Sequence, residues 1–446
     1  MSKTPIVINA PASKSLSHRT LIAASLANGI SEVSSILDSD DITRTRGCLT
    51  ACGAQIDEKD GKLIVTGMES GPKGGNADGK HKDEAPHELF MHESGTTCRL
   101  MTAVAAAGHG TFKVHGAQRM HERPMAELVK ALGNLGSTFE YAEKEGFLPF
   151  VMTSKGYTGK KVEITLEESS QYLSGLLLGA PLADHETVIS VVGKKAVSWP
   201  YVALTLRIME DFKAGFTVEV KEGNAWQAVP WRSVKSATPN KIRFVVQPTG
   251  YDATDYRVEG DWSNASYFLA AGAVGKRPVL IKGLAADSLQ GDRAIMDILS
   301  QMGASINVTF EGILVEPSTL RGVNVDMGRC PDLVPTVSVA AAFASTPTTI
   351  TNVAHLRIKE TDRLAACATE VARTQAETEI VEDSLIVRPG RLPKGREVDF
   401  TTYGDHRMAM SMSIFELGGI KVGLDNPACV GKSFPGFFDE WKKIVD

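Results

Sequence analysis

Six times along the chain a short polar segment opens an alanine-rich helix, and this recurrence constrains the fold more than any other feature. The segments are "ASKSLSHRTLIAASLA" from Ala12, "SGTTCRLMTAVAAA" from Ser94 and "SSQYLSGLLLGAPLA" from Ser169. They continue with "GDWSNASYFLAAGAV" from Gly260, "PDLVPTVSVAAAFA" from Pro331 and "GDHRMAMSMSIFEL" from Gly404. Their starts lie roughly 70 to 90 residues apart, within the range of a supersecondary repeat. Small side chains let such helices approach closely and be buried. A second series interleaves with the first. "LTACGAQI", "LGNLGSTF", "MEDFKAGF" and "LSQMGASI" leave a helix, pass Gly53, Gly136, Gly215 or Gly303, and enter a strand. "VARTQAETEI" repeats the pattern with Ala376 in the glycine's place. Glycine takes up positive φ cheaply and so ends a helix. β-rich pieces such as "KLIVTG", "GFLPFVMTS", "IRFVVQP" and "GILVEP" follow. Each repeat therefore reads strand–helix–strand–helix–strands. Six repeats predict two similar α/β domains of three each, in keeping with 446 residues, too many for one ordinary domain.

Two insertions stretch the spacing. Residues 71–88 are polar and glycine-rich and read as a mobile surface loop. Residues 223–240 carry two tryptophans and read as a segment packed on a surface, with no catalytic part.

Composition excludes several classes of function. No apolar run approaches the roughly 18 residues that span a bilayer, and the N-terminus lacks the apolar core of a signal peptide. A cytoplasmic protein is expected. The net charge of −5 argues against nucleic acid as the main partner, so any anion site must be built locally. Six scattered cysteines read as small buried hydrophobes. Cys48 and Cys52 are four apart, but no second pair stands at zinc spacing, so no metal is expected.

The suspicious charges sit at the helix starts of the first series. A helix N-terminus offers unpaired N–H groups and a positive dipole end, which suits an anion. Lys14 and Ser15 open one such helix, with Arg19 about one turn on. The glycines of a Walker A loop are missing there. Gly95, Thr96 and Thr97 open another, with Arg99 in its first turn, where a cation opposes the dipole. Arg123 precedes Pro124, Ser169–Gln171 offer three hydrogen-bonding side chains, His406 and Arg407 follow Asp405, and Lys432 precedes the last helix. Singly, each is compatible with plain capping or solvated charge. In "HLRIKETDRL", Leu364, Cys367, Ala368 and Val371 form a buried helical stripe. Thr361 is the expected N-cap and Asp362 a favourable first-turn acid. Capping leaves Lys359, Glu360 and Arg363 unexplained.

Taken together, "PASKSLSHR", "LDSDD", "SGTTCR", "RMHERPM", "SSQYLSGLLL", "SWPY", "VEGDWSNASYFLAA", "PDLVPT", "IKETDRL", "GDHRMAM" and "GKSFPGF" resemble the enolpyruvyl transferase family, in its shikimate 3-phosphate branch. They occur in family order from end to end. The resemblance implies an inside-out barrel fold of two domains, each of three βαβαββ repeats, with the active site in the interdomain cleft. It implies a discontinuous domain of residues 1–12 and 259–446, and an inserted domain of residues 13–258. It implies transfer of the enolpyruvyl group of phosphoenolpyruvate (PEP) to shikimate 3-phosphate with release of phosphate, no cofactor, and a monomeric protein whose partners are these two small molecules. Carried over by motif, Lys14, Ser15, Arg19, Ser169, Ser170, Gln171, Ser198, Tyr201, Asp332 and Lys359 hold shikimate 3-phosphate. Lys14, Gly95, Arg99, Arg123, Gln171, Arg363, Arg407 and Lys432 hold PEP. Asp332, Lys359, Glu360 and Lys14 form the catalytic set. The charges fit: the two substrates bring roughly five to six negative charges, against Lys14, Arg19, Arg99, Arg123, Lys359, Arg363, Arg407 and Lys432, offset in part by Asp332 and Glu360.

The chain departs from the family pattern at several points. Glu93 and Ser94 stand where Asn-Ala or Asn-Ser is usual, His355 where many members have Asn, and Trp199 where Lys is common. Leu100 replaces the Pro of one branch. Sensitivity to the family inhibitor glyphosate is left open by these changes, although Gly95 leaves room for it. Two rival readings are a UDP-N-acetylglucosamine-specific member of the same family and a non-catalytic anion binder on the same fold. The first is opposed by Lys14-Ser15 in place of Lys-Asn and by the lack of cysteine in "HGAQRMHERP". The second is opposed by the intact Asp332, Lys359, Glu360 and arginines.

Overall fold

The computed structural model describes residues 4–80 and 84–446. It divides into two compact lobes. The first comprises Lys14–Ile36 and Asp41–Val258. The second comprises the chain up to Ser13, Leu37–Asp40 and Glu259–Asp446.

One ladder recurs in both. A strand pairs in parallel with the next, which is antiparallel to a third, which is antiparallel to a fourth. In the first lobe Tyr256–Arg257, Ile30–Ser34, Lys62–Thr66 and Gln55–Lys59 follow this order. So do His87–Phe90, His109–His115, Phe150–Lys155 and Thr138–Tyr141. The third copy, Lys161–Leu166, Thr187–Ala196, Ile242–Val246 and Phe216–Glu222, gains a fifth strand, Ala225–Val229. In the second lobe the copies are Ile6–Asn9, Val279–Lys282, Ile313–Glu316 and Ser305–Val308, then Asn324–Asp326, Thr348–Thr351, Ser384–Arg388 and Glu377–Val381. The sixth repeat departs from the expected equality: it keeps only the parallel pair Glu397–Phe400 and Lys421–Leu424. The chain then forms the helix Phe437–Val445, which buries Phe437, Trp441 and Ile444. Phe437 meets Tyr267 and Phe268 at ring separations of 5.8 and 5.6 Å, so this helix covers apolar side chains of residues 262–274.

The six alanine-rich helices are Lys14–Leu26, Gly95–Ala106, Gln171–Gly179, Trp262–Val274, Val334–Ala342 and His406–Ser413. They are buried nearly all round, as their small side chains require. The second series of stops is met with two corrections. Gly53, Gly136 and Gly303 take positive φ, but in "MEDFKAGF" the left-handed residue is Lys213 and in "VARTQAETEI" it is Gln375. A single non-glycine residue in this region costs only about 1–2 kcal/mol, which the packed helix and strand on either side offset.

The first insertion differs from its sequence reading, and the second packs as read. Of residues 71–88, 81–83 lie outside the described residues. Pro72, Gly74 and Gly75 are buried rather than loose. Gly74 N–H donates to the His109 carbonyl at 2.8 Å, and Gly75 exchanges bonds with Thr111 at 3.0 and 2.8 Å. Residues 223–240 supply the fifth strand and bury Trp231. Among the described residues no helix is long and apolar enough to cross a membrane.

Candidate active site

In the first lobe the cations lie where helices begin. Ser94 caps the Gly95–Ala106 helix by accepting the Thr97 N–H at 3.2 Å. Gly95 is then the first helical residue, and Arg99 folds back to give a hydrogen bond to its carbonyl at 3.1 Å. The guanidinium of Arg123 comes to the same glycine: a Cβ built on Gly95 would stand 2.6 Å from Arg99 Nη1 and 2.7 Å from both Arg123 Nη atoms. Glycine therefore lets two buried cations approach closely. Gln171, the first residue of its helix, donates to Thr96 Oγ1 at 2.9 Å, and the Tyr172 ring lies under Arg99 at 5.8 Å. Gly95, Arg99, Arg123 and Gln171 thus form one cluster.

Lys14 is tied to it indirectly. Its ammonium pairs with Asp41 at 3.1 Å, and the Asp41 carbonyl accepts from the Thr97 hydroxyl at 3.2 Å. Arg19 is only 1% exposed and is engaged by protein. Its Nε donates to Thr205 Oγ1 at 2.7 Å and Nη1 to the Ser15 carbonyl at 2.9 Å. Nη2 donates to the Tyr201 carbonyl at 3.1 Å and to Ser174 Oγ at 3.3 Å. These four bonds join three helices and leave one of the guanidinium's five N–H donors for a ligand. Burial lowers its pKa to about 10, so it remains charged. Ser169 accepts the Gln171 N–H at 3.2 Å, which orders the helix start, and Ser170 is buried beside it. Ser198 has φ of 58° at the start of the Trp199–Asp211 helix.

The second lobe holds a denser knot. Asp362, not Thr361, is the N-cap of the Arg363–Ala372 helix, accepting the Ala365 N–H at 3.0 Å. A cap at Asp362 places Arg363 first in the helix. Arg363 is 1% exposed and gives one arm to each of three carboxylates: Nε to Asp405 at 2.9 Å, Nη1 to Asp332 at 3.0 Å and Nη2 to Glu360 at 2.8 Å. Arg407 Nη2 takes the second oxygen of Asp332 at 2.8 Å, and Lys432 lies 3.6 Å from Glu360. Asp405 caps its own helix through the Arg407 N–H at 2.9 Å. Burial alone would raise the Asp332 carboxyl, but Arg407, Lys359 and Arg363 together hold it well below the usual carboxylate range. Burial likewise opposes the charge on Arg363, and Asp405, Glu360 and Asp332 more than restore it.

Sequence reasoning passed over Asp405 as a partner of Arg363, and Asp41 as the partner of Lys14. Asp405 lies in the quoted "GDHR", but its capping role masked its second contact. Asp41 lies in "LDSDD", where nothing in the spacing separates it from Asp38 and Asp40.

Comparison with known proteins settles the family. The model of the EPSP synthase (3-phosphoshikimate 1-carboxyvinyltransferase) family matches residues 4–441. The chain is 39% identical over 440 residues to the 3-phosphoshikimate 1-carboxyvinyltransferases of Haemophilus influenzae and Mannheimia haemolytica, covering 98% of this chain and 96% of each relative. The chain belongs to the EPSP synthase family. In fold it is similar to a solved EPSP synthase from Acinetobacter baumannii, with a TM-score of 0.74, 24% identity and coverage of 98% and 95% of the two chains. Against the EPSP synthase pattern, the departure at Trp199 now has a structural partner. Its indole N–H donates to the Val234 carbonyl at 3.0 Å, inside the 223–240 insertion, and its ring stacks on Phe244 at 6.4 Å. The tryptophan in place of lysine thus packs against the inserted segment. His355 is buried in the turn Ala354–Ile358, and Leu100 is fully buried in its helix.

Proposed function

We propose that the chain carries out its family's reaction with the two clusters described above. It transfers the enolpyruvyl group of PEP to the 5-hydroxyl of shikimate 3-phosphate, giving 5-enolpyruvylshikimate 3-phosphate and phosphate on the way to chorismate and the aromatic amino acids. Lys14, Ser15, Arg19, Ser169, Ser170, Gln171, Ser198, Tyr201, Asp332 and Lys359 bind shikimate 3-phosphate. Lys14, Gly95, Arg99, Arg123, Gln171, Arg363, Arg407 and Lys432 bind PEP. The reading takes the chain as a monomer working in the cytoplasm.

The observation that carries this reading is the sharing of Arg363 among Asp332, Glu360 and Asp405. It joins proton-transfer carboxylates to anion-binding cations in one network, the combination this reaction needs. The 5-hydroxyl oxygen bonds to C2 of PEP while the methylene carbon takes a proton from Glu360. The C2–phosphate oxygen bond then breaks as Glu360 withdraws a proton from the methyl group. Asp332 or Lys359 accepts the hydroxyl proton. While Arg363 and Arg407 hold Asp332, it is a weak base. The phosphate and carboxylate of PEP compete for the same guanidinium groups, so substrate binding itself releases Asp332 for proton transfer.

Phosphate release tests the reading. Shikimate 3-phosphate plus PEP should give release, and neither alone should. No release with the pair, or equal release with UDP-N-acetylglucosamine as acceptor, would overturn it.

A further inference from the structure

Glu370 has no task in the reading above, yet it is fully buried within the Arg363–Ala372 helix and three donors meet its carboxylate. Oε1 accepts the Tyr403 hydroxyl at 2.8 Å. Oε2 accepts the Thr401 N–H at 3.0 Å and Arg373 Nε at 2.8 Å. Thr401 and Tyr403 belong to the turn that leads into Asp405. The Asp405 N–H closes that turn on the Thr402 carbonyl at 2.8 Å. Its two central residues, Tyr403 and Gly404, have φ of 56° and 66°. Two positive values in succession mark the mirror-image turn that favours asparagine and glycine. A bulky side chain at positive φ is an outlier that its surroundings must hold in place. Here the tyrosine hydroxyl is what the helix holds. Burial and the Glu370 carboxylate push the Tyr403 phenol up to about 12, so it stays protonated and donates.

Helical spacing gives the arrangement a purpose. Glu370 lies seven residues after Arg363, two turns on and on the same face of the helix. Both ends of that face grip one segment. Arg363 Nε takes Asp405 Oδ2 at 2.9 Å, and Glu370 takes Thr401 and Tyr403. Asp405 Oδ1 meanwhile receives the Arg407 N–H at 2.9 Å. An ionised carboxylate only accepts, while the N–H and the phenol donate, so the clamp closes in one way. We propose that Glu370 and Tyr403 are positioning residues for PEP: they clamp the 401–404 turn to the helix so that Asp405 meets both Arg363 and the start of the Arg407 helix. This rests on the reading of Arg363 and Arg407 as PEP ligands. A buried carboxylate is costly, and an apolar side chain would pack the helix at least as well. Its presence points to placement of the turn rather than to stability.

The test uses full-length protein with PEP varied at saturating shikimate 3-phosphate. Tyr403→Phe keeps the ring and loses only the tether. It should raise the KM for PEP about tenfold, the size expected for losing a hydrogen bond to a charged group. The KM for shikimate 3-phosphate should stay unchanged, since most of its proposed ligands belong to the first lobe. Glu370→Leu loses the Thr401 tether as well and should exceed that rise. Adding Tyr403→Phe to it should change nothing further, because both act through one contact. Arg373→Met removes only the exposed partner of Glu370 and should keep both KM values. A wild-type KM for PEP in Tyr403→Phe, equal rises for both substrates, an additive double variant, or an equal rise in Arg373→Met would overturn the proposal. If Glu370→Leu does not fold, Tyr403→Phe against Arg373→Met decides on the same readout. PEP titrated calorimetrically in the presence of shikimate 3-phosphate separates this from the reaction itself. If the wild type binds PEP but releases no phosphate, the proposed reaction falls, and PEP affinity across the variants still decides on Glu370. If it binds no PEP, both fall.

Discussion

Glu360 sits between Arg363 and Lys432 and so has two duties, neutralising cations and moving protons. Glu360→Ala separates them. We expect kcat to fall about 10²- to 10⁴-fold, the usual worth of a positioned acid–base group, while PEP binds at least as tightly because its competitor for Arg363 is gone. Retained kcat would remove Glu360 from the proton path. Gly95 makes the complementary case. A methyl group there meets only the ends of the Arg99 and Arg123 side chains, which can move, so Gly95→Ala should fold normally. The displaced guanidinium groups should raise the KM for PEP about ten- to hundredfold, as misplacement by about 1 Å does. An unchanged KM would mean that these arginines do not meet PEP. At this scale the sequence was informative where a residue broke a local rule. Arg99 and Arg363 oppose the dipole of their own helices, and that is visible in one dimension. The engagement of Arg19 by protein groups was not visible, because Thr205, Ser174 and Tyr201 lie far along the chain and only folding brings them to it.

The alanine-rich helices were legible from composition, because small residues opened by polar caps have few other uses. Their ends were less so. Thr361 and Asp362 are both good caps, and backbone geometry rather than residue type chose Asp362. The contact between the insertion at 223–240 and Trp199 was less legible, since it joins residues 35 apart. That contact flanks Ser198, which holds a left-handed conformation. Trp199→Phe keeps the ring and removes the hydrogen bond to Val234. We expect it to raise the KM for shikimate 3-phosphate about fivefold, the equivalent of about 1 kcal/mol, with the KM for PEP unmoved. Equal kinetics for both proteins would make the insertion a purely structural addition.

For the whole molecule, acid stability carries a mark of the first lobe's core. Burial lowers the His18 pKa to about 3, from an ordinary 6.5, and its Nδ1 is bonded to Thr45 at 2.7 Å. Between these values the unfolded chain takes up a proton that the folded chain refuses. Stability therefore falls as pH drops below 6.5, by up to about 1.4 kcal/mol per pH unit from this one group. His18→Asn should flatten the decline of Tm from pH 6.5 to pH 4, and parallel declines would show that another group dominates. The repeat pattern foretold two similar lobes, but equality failed at the sixth copy, where the helix Phe437–Val445 follows the parallel pair. The pairing of Ile6 with Val279 has a consequence for biosynthesis. The strand Ile6–Asn9 leaves the ribosome about 270 residues ahead of its partner, a wait of tens of seconds at the usual pace of translation. Meanwhile the first lobe has everything it needs once Val258 emerges. The lobe that Ile6–Asn9 belongs to is thus completed after the other, and that strand stays unpaired on the nascent chain meanwhile.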